Sequence, residues 1–145
     1  MAESDDARRG LESWLTTNPP ATIAELEAVE TSVGFSLPVE IRHLLRLSNG
    51  GSTFFGSPGT AADHYIDLWS TSELVPNNLE YQVSDYVPGF FAFGSNGGGE
   101  LYVFEKRLES NGVFQLPAIG MSNSSLVEFS SSFAGFLALF GQRCG

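Results

Sequence analysis

The sequence is short of cysteine, of basic residues and of long apolar runs. Its single cysteine, Cys144, has no partner for an internal disulfide and cannot build a cysteine-based zinc site. It is also second from last, where a residue is poorly held for catalysis, so it reads as an incidental thiol. No apolar stretch approaches the ~20 residues that span a bilayer as a helix. The opening MAESDDARRG puts acids before its arginines, with no apolar segment behind them, and is not expected to act as a signal peptide. These features point to a reducing cytoplasm rather than a membrane or an oxidising compartment. Lysine and arginine together number 7 against 17 acids, a formal charge of −10. A chain so acidic repels phosphates, which argues against direct binding to DNA or RNA.

Apolar residues, by contrast, are ample. They make up 42% of the 145 residues, and 12 are phenylalanine. One compact domain of this size can bury a sizeable core. Charge is unevenly spread. No Lys or Arg occurs between Arg46 and Lys106, a stretch that holds Asp63, Asp67, Glu73, Glu80, Asp85, Glu100 and Glu105. Such a run is either a solvated acidic surface or a face that steers a basic protein partner.

Hydrophobic spacing organises the rest. Leu11, Trp14 and Leu15 share one helical face before Pro19-Pro20 stops that helix. Thr22 and Glu25 have capping-box spacing ahead of Ile23, Leu26, Val29 and Val33, and Gly34 suits the helix end. A further helix starts near Leu37-Pro38, carries Ile41, Leu44, Leu45 and Leu47, and closes at SNGG. Residues 52–64 read as a glycine-rich loop, with a short strand at Phe54-Phe55 as an option. Tyr65–Trp69 alternates as a strand. Ser70 and Glu73 then cap a short helix, Thr71–Leu74, that is expected to give way to a turn at Pro76-Asn77-Asn78. Phe90–Phe93, Leu101–Glu105, Val113–Leu116 and Leu126–Phe129 are strand candidates. Phe133, Phe136, Leu137 and Phe140 mark a closing helix ending at Gly141. Helices, then strands, then a helix make an α+β domain with a mostly antiparallel sheet.

Catalytic motifs are weak. The stretch GSNGGGE, residues 94–100, resembles a phosphate cradle only in glycine content. A cradle needs a helix after the glycines, and LYVFE is a strand pattern; no lysine is near, and Glu100 repels anions. It reads as a turn whose glycines and asparagine supply positive φ. His43 lies at a helix edge. His64 neighbours Asp63 and Asp67, but adjacent strand residues point to opposite faces, so no metal site is expected there. No G-x-S-x-G elbow occurs. No catalytic residue, cofactor or metal is expected. Phe90, Phe91, Phe93, Tyr102, Phe104, Trp14 and Trp69 read as core, while Phe54-Phe55, if exposed, can serve a protein interface.

The order of LPVEIRHLLRLSNGG (37–51), IDLWSTSEL (66–74), PGFFAFGSNGGGELYVFE (88–105) and SFAGFL (132–137) resembles the SUKH superfamily, the Smi/Knr family, over about residues 22–140. The resemblance implies a single α+β domain at 22–145 behind an N-terminal helical extension at 1–21. It implies a non-catalytic role. Bacterial members are commonly immunity proteins that bind and neutralise a cognate toxin, often a nuclease; fungal relatives act in cell-wall regulation. On that footing the expected partner is a toxin protein, bound through Asp63, Asp67, Glu73, Glu80 and Asp85 with Phe54 and Phe55. The alternative is a scaffold or regulatory module holding a peptide or small ligand in a groove, expected near Trp69 and Tyr102.

Overall fold

The structure, a computed structural model, describes residues 18–55, 64–106 and 112–136, with the side chains of residues 53–55 left aside. The expected helix at Leu11–Leu15, and the residues Trp14, Asp63 and Cys144, lie outside that set.

Two helices come first. Helix α1 runs Ile23–Val33. Its capping box is formed: Glu25 donates its amide to the Thr22 hydroxyl at 3.0 Å, and Thr22 donates its amide to the Glu25 carboxylate at 2.8 Å. Gly34 ends it in the left-handed region at φ 84°, which glycine enters without a Cβ penalty. Helix α2 runs Val39–Leu47, with Pro38 capping the helix from just outside it rather than filling its first position. Ile41, Leu44 and Leu45 are fully buried on its inner side. Glu30 ties the two helices, accepting from the Leu37 amide at 2.7 Å and from Arg42 Nη1 at 3.0 Å.

A six-stranded antiparallel meander follows, in the order β1-β2-β3-β4-β5-β6. The strands are β1 Gly51–Phe55, β2 His64–Leu68, β3 Phe90–Ser95, β4 Glu100–Glu105, β5 Val113–Pro117 and β6 Val127–Ser130. Residues 51–55, expected mainly as loop, form the edge strand: Phe54 pairs with Tyr65 and Phe55 with His64. Between β2 and β3 lie α3, Thr71–Tyr81, and α4, Val83–Tyr86. The α3 helix corrects the expectation of a stop after Leu74, because it continues through Pro76. Proline forfeits one intrahelical bond. Asn78 offsets this by joining helix to sheet: its Nδ2 donates to Leu74 O and to Ala92 O, and its Oδ1 accepts from the Ala92 amide, each at 2.8 Å. These bonds satisfy both backbone groups of Ala92 in β3. The short α4 and a 3₁₀ turn at Asn123–Ser125 had no expectation in the sequence. Residues 133–136 are helical, as expected for the closing helix; its continuation lies outside the described residues.

An aromatic cluster fills the centre. Phe93 meets Phe136 edge-on at 5.8 Å, Phe104 meets Phe133 at 5.7 Å, and Phe35 meets Phe91 at 5.2 Å. Edge-to-face rings add about 0.5–1.5 kcal/mol each beyond the area they bury.

GSNGGGE is a turn between β3 and β4, as its composition suggested. Asn96 organises it. Its Oδ1 accepts from the Gly98 and Glu100 amides at 2.8 and 3.1 Å, and its Nδ2 donates to the Glu100 carboxylate at 2.7 Å. Two of the turn's amides, those of Gly98 and Glu100, are thus already engaged, and a strand, not a helix, begins at Glu100.

Candidate functional site

The α3–α4 unit gathers three of the acids singled out in the sequence. Glu73 is the third residue of α3 and accepts the Ser70 amide at 3.0 Å, completing a capping box. Glu80 follows seven residues later, so it shares Glu73's side of the helix, about 10 Å along the axis. Asp85 sits in α4. Gln82 makes the corner between the helices in the left-handed region, φ 59°, an uncommon conformation for a residue with a side chain. Its carbonyl accepts the Asp85 and Tyr86 amides at 3.1 and 3.2 Å, which fixes where Asp85 points along the chain.

All three acids are solvent-exposed. Among the described residues the ion pair present joins Arg42 to Glu30, and none involves Glu73, Glu80 or Asp85. Among the described residues, then, no ion pair offsets their charge. Two large apolar side chains stand out beside them: Leu79 is 72% exposed and Tyr86 53%. Tyr81 lies flat against Trp69, with ring centroids 6.1 Å apart.

Asp67 is not gathered there by any contact. It lies on β2 between the buried Ile66 and Leu68, so it faces the other side of the sheet, and it accepts the Ser52 hydroxyl at 2.9 Å. Phe54 and Phe55 belong to the edge strand rather than to a loop. Asp63 is outside the described residues.

Among the described residues, Trp69 and Tyr102 are buried rather than set along an open groove. They are 4% and 0% exposed and belong to the core. The Tyr102 hydroxyl donates to Tyr65 O at 2.9 Å. Burial pushes its ionisation up to about 12, against a lowering hydrogen bond from the Gln115 side chain and with a further raising contribution from Glu100. That hydroxyl serves structure. A cleft exists elsewhere, between the end of α1, the α3–α4 unit and the sheet. It holds about 240 Å³; Val33, Phe35, Val75, Leu79 and Phe91 form its apolar surface, and Asn78, Gln82, Asp85 and Lys106 its polar one. Sequence reading missed Leu79, because its spacing from Val75 matches that of a core position. Phe35 carried no signal at all, lying between two helices.

Among the described residues no three His, Cys, Asp or Glu side chains come together as a metal site would require. Nor is any helix there long and apolar enough to cross a membrane.

With this geometry in view, the sequence comparison is decisive for family. The SMI1/KNR4 family (SUKH-1) matches residues 20–139. The chain belongs to the SMI1/KNR4 family. The match spans α1 through the closing helix, and it starts just before the Thr22 cap. No curated protein matches the chain. SMI1/KNR4 proteins generally act by binding partner proteins rather than by catalysis, and membership fits either an immunity or a cell-wall-related role.

Proposed function

We propose that this protein is a non-catalytic immunity protein that binds and neutralises a cognate bacterial toxin in the cytoplasm, through the acidic face of α3 and α4. The observation that supports this reading is the grouping of Glu73, Glu80 and Asp85, without an ion pair among the described residues, with exposed Leu79 and Tyr86. Apolar and aromatic side chains supply the contact energy of an interface, while like-signed acids steer an oppositely charged partner and select against others. A basic nuclease is the matching partner class: acids that cover its nucleic-acid surface would block its substrate. Asp67, which faces the other side of the sheet, is not part of this α3–α4 face.

The test uses a candidate toxin domain, such as one encoded next to the gene. Glu80→Lys and Asp85→Lys, with Glu73→Gln to keep the cap, should slow association at least about tenfold at low salt and flatten its salt dependence. Association that ignores these changes would place the interface elsewhere.

The second reading is a scaffold of the cell-wall-regulator type that holds a peptide or small ligand. What favours it is the α1–α3 cleft with its apolar floor. Binding of such a ligand without any toxin partner would select it.

A further inference from the structure

The cleft already holds a cation. Lys106, the chain's single lysine, sets its ammonium 5.5 Å from the centre of the Phe35 ring. That lies within the distance at which a cation is drawn to an aromatic face. Phe35 stands edge-on to Phe91 at 5.2 Å, so two rings of the cleft are fixed against each other. Asp85 lines the same cleft and has no ion pair among the described residues. An aromatic floor, an unpaired carboxylate on the wall and a resident ammonium together describe a receptor for a cation with a flat or apolar body.

We propose that the cleft receives an arginine side chain of the protein partner, its guanidinium lying on the Phe35 ring in place of Lys106 and pairing with Asp85. Arginine fits better than lysine. Its planar head stacks on rings, gives up hydration more readily and presents parallel donors to a carboxylate. The cleft runs on between α1 and α3, sharing Ser32 and Val75 with a shallower groove beside Ala28 and Ser72. That groove gives the backbone flanking the arginine somewhere to lie. Leu79, exposed at the cleft's edge, covers the aliphatic stem.

The occupant's identity rests on the partner-binding reading above, but the test needs no partner. Benzamidine, an apolar ring bearing an amidinium, is titrated into the whole protein at low salt, with benzoate as its anionic counterpart, and amide shifts are followed by NMR. Benzamidine should move the amides of Phe35, Leu79 and Asp85 in preference to benzoate. Asp85→Asn should weaken it about threefold, the scale of an exposed ion pair. Lys106→Ala should strengthen it about as much, because it removes the resident competitor and a like charge. An anion site would behave oppositely, with benzoate preferred and Lys106→Ala abolishing binding. That outcome, or no shifts at the cleft, overturns the proposal. If benzamidine is refused while charge reversal still slows the toxin, the acidic surface stands and only the arginine pocket falls. If benzamidine binds and charge reversal is silent, the pocket stands without the toxin interface.

Discussion

Gly94 is the position where one methyl group should do the most damage to the sheet. It pairs with Leu68 of β2 on one side and Tyr102 of β4 on the other. A Cβ there would stand 2.7 Å from the Asp67 carbonyl oxygen and 3.4 Å from Cδ1 and Cγ1 of Ile66. The oxygen belongs to a paired backbone, so it cannot rotate away as a side-chain tip would. The β2–β3 seam is also short: its register pairs are Asp67 with Ser95 and Leu68 with Gly94, extended by a 3.1 Å bond from the Trp69 amide to Phe93 O. Any shift that relieves the clash strains this seam. Overpacking costs about 1–3 kcal/mol, and a weakened ladder bond adds about 1 kcal/mol. Gly94→Ala should therefore lose about 2–4 kcal/mol. In equilibrium urea unfolding the midpoint falls by about 1–2 M, with an unchanged slope of about 1–3 kcal/mol/M. The internal control is Gly98→Ala in the same motif. Its nearest neighbour would be Asn96 Oδ1 at 3.6 Å, an ordinary contact, and its φ is not in the left-handed region. That variant should stay within about 0.5 kcal/mol of the parent. Equal losses at the two positions would refute the close-approach argument and leave only a general requirement for glycine.

Asn78→Ala should cost about 2–4 kcal/mol in the same urea assay, since it strips partners from the Ala92 amide and carbonyl, and the Ala92 amide should exchange much faster with solvent; unchanged exchange would refute this. Alkaline stability should report Tyr102. Its folded ionisation lies at about 12 against an ordinary 10.0, so the folded state holds the proton longer. The contribution is complete below about pH 10 and is lost as pH rises through about 12, a total of about 2–3 kcal/mol. Guanidinium unfolding across that range should show a steeper loss for the parent than for Tyr102→Phe, and parallel curves would contradict it.

Local signals were the most legible part of the fold. Thr22 with Glu25, Ser70 with Glu73, and Gly34 act through contacts within a few residues, and each does what its spacing implies. The strands were also readable, because Phe90–Ser95 and Glu100–Glu105 are rich in aromatic and branched residues, buried in an unbroken run of four in each, on either side of a turn rich in glycine. The departures share one cause. Pro76 looked like a stop because proline breaks helices locally. Three hydrogen bonds from Asn78, two of them to a strand 14 residues away, hold the helix through it. Residues 52–55 looked mainly like the start of a loop, with a short strand at Phe54-Phe55 as an option, because glycine and serine depress strand propensity, yet pairing with β2 supplies the order.

The candidate site divides along the same line. Its charge was legible, since a stretch without Lys or Arg from Leu47 to Glu105 is a property of the chain itself. Its shape was not, because the cleft is assembled from α1, the residue after its cap, α3, α4 and the end of β4. Phe35 gains meaning only from Phe91 beneath it and Lys106 above, which are 56 and 71 residues away in sequence. The same assembly separates Asp67 from Glu73, six positions on, by placing one on a sheet face and the other at a helix start. Acidic sequence thus sets the sign of the surface, whereas tertiary packing selects which acids stand together on it. Asp85 is the residue where both conditions meet: it belongs to the acidic run, and the Gln82 corner carries it to the cleft where the Phe35 ring has already accepted the Lys106 ammonium.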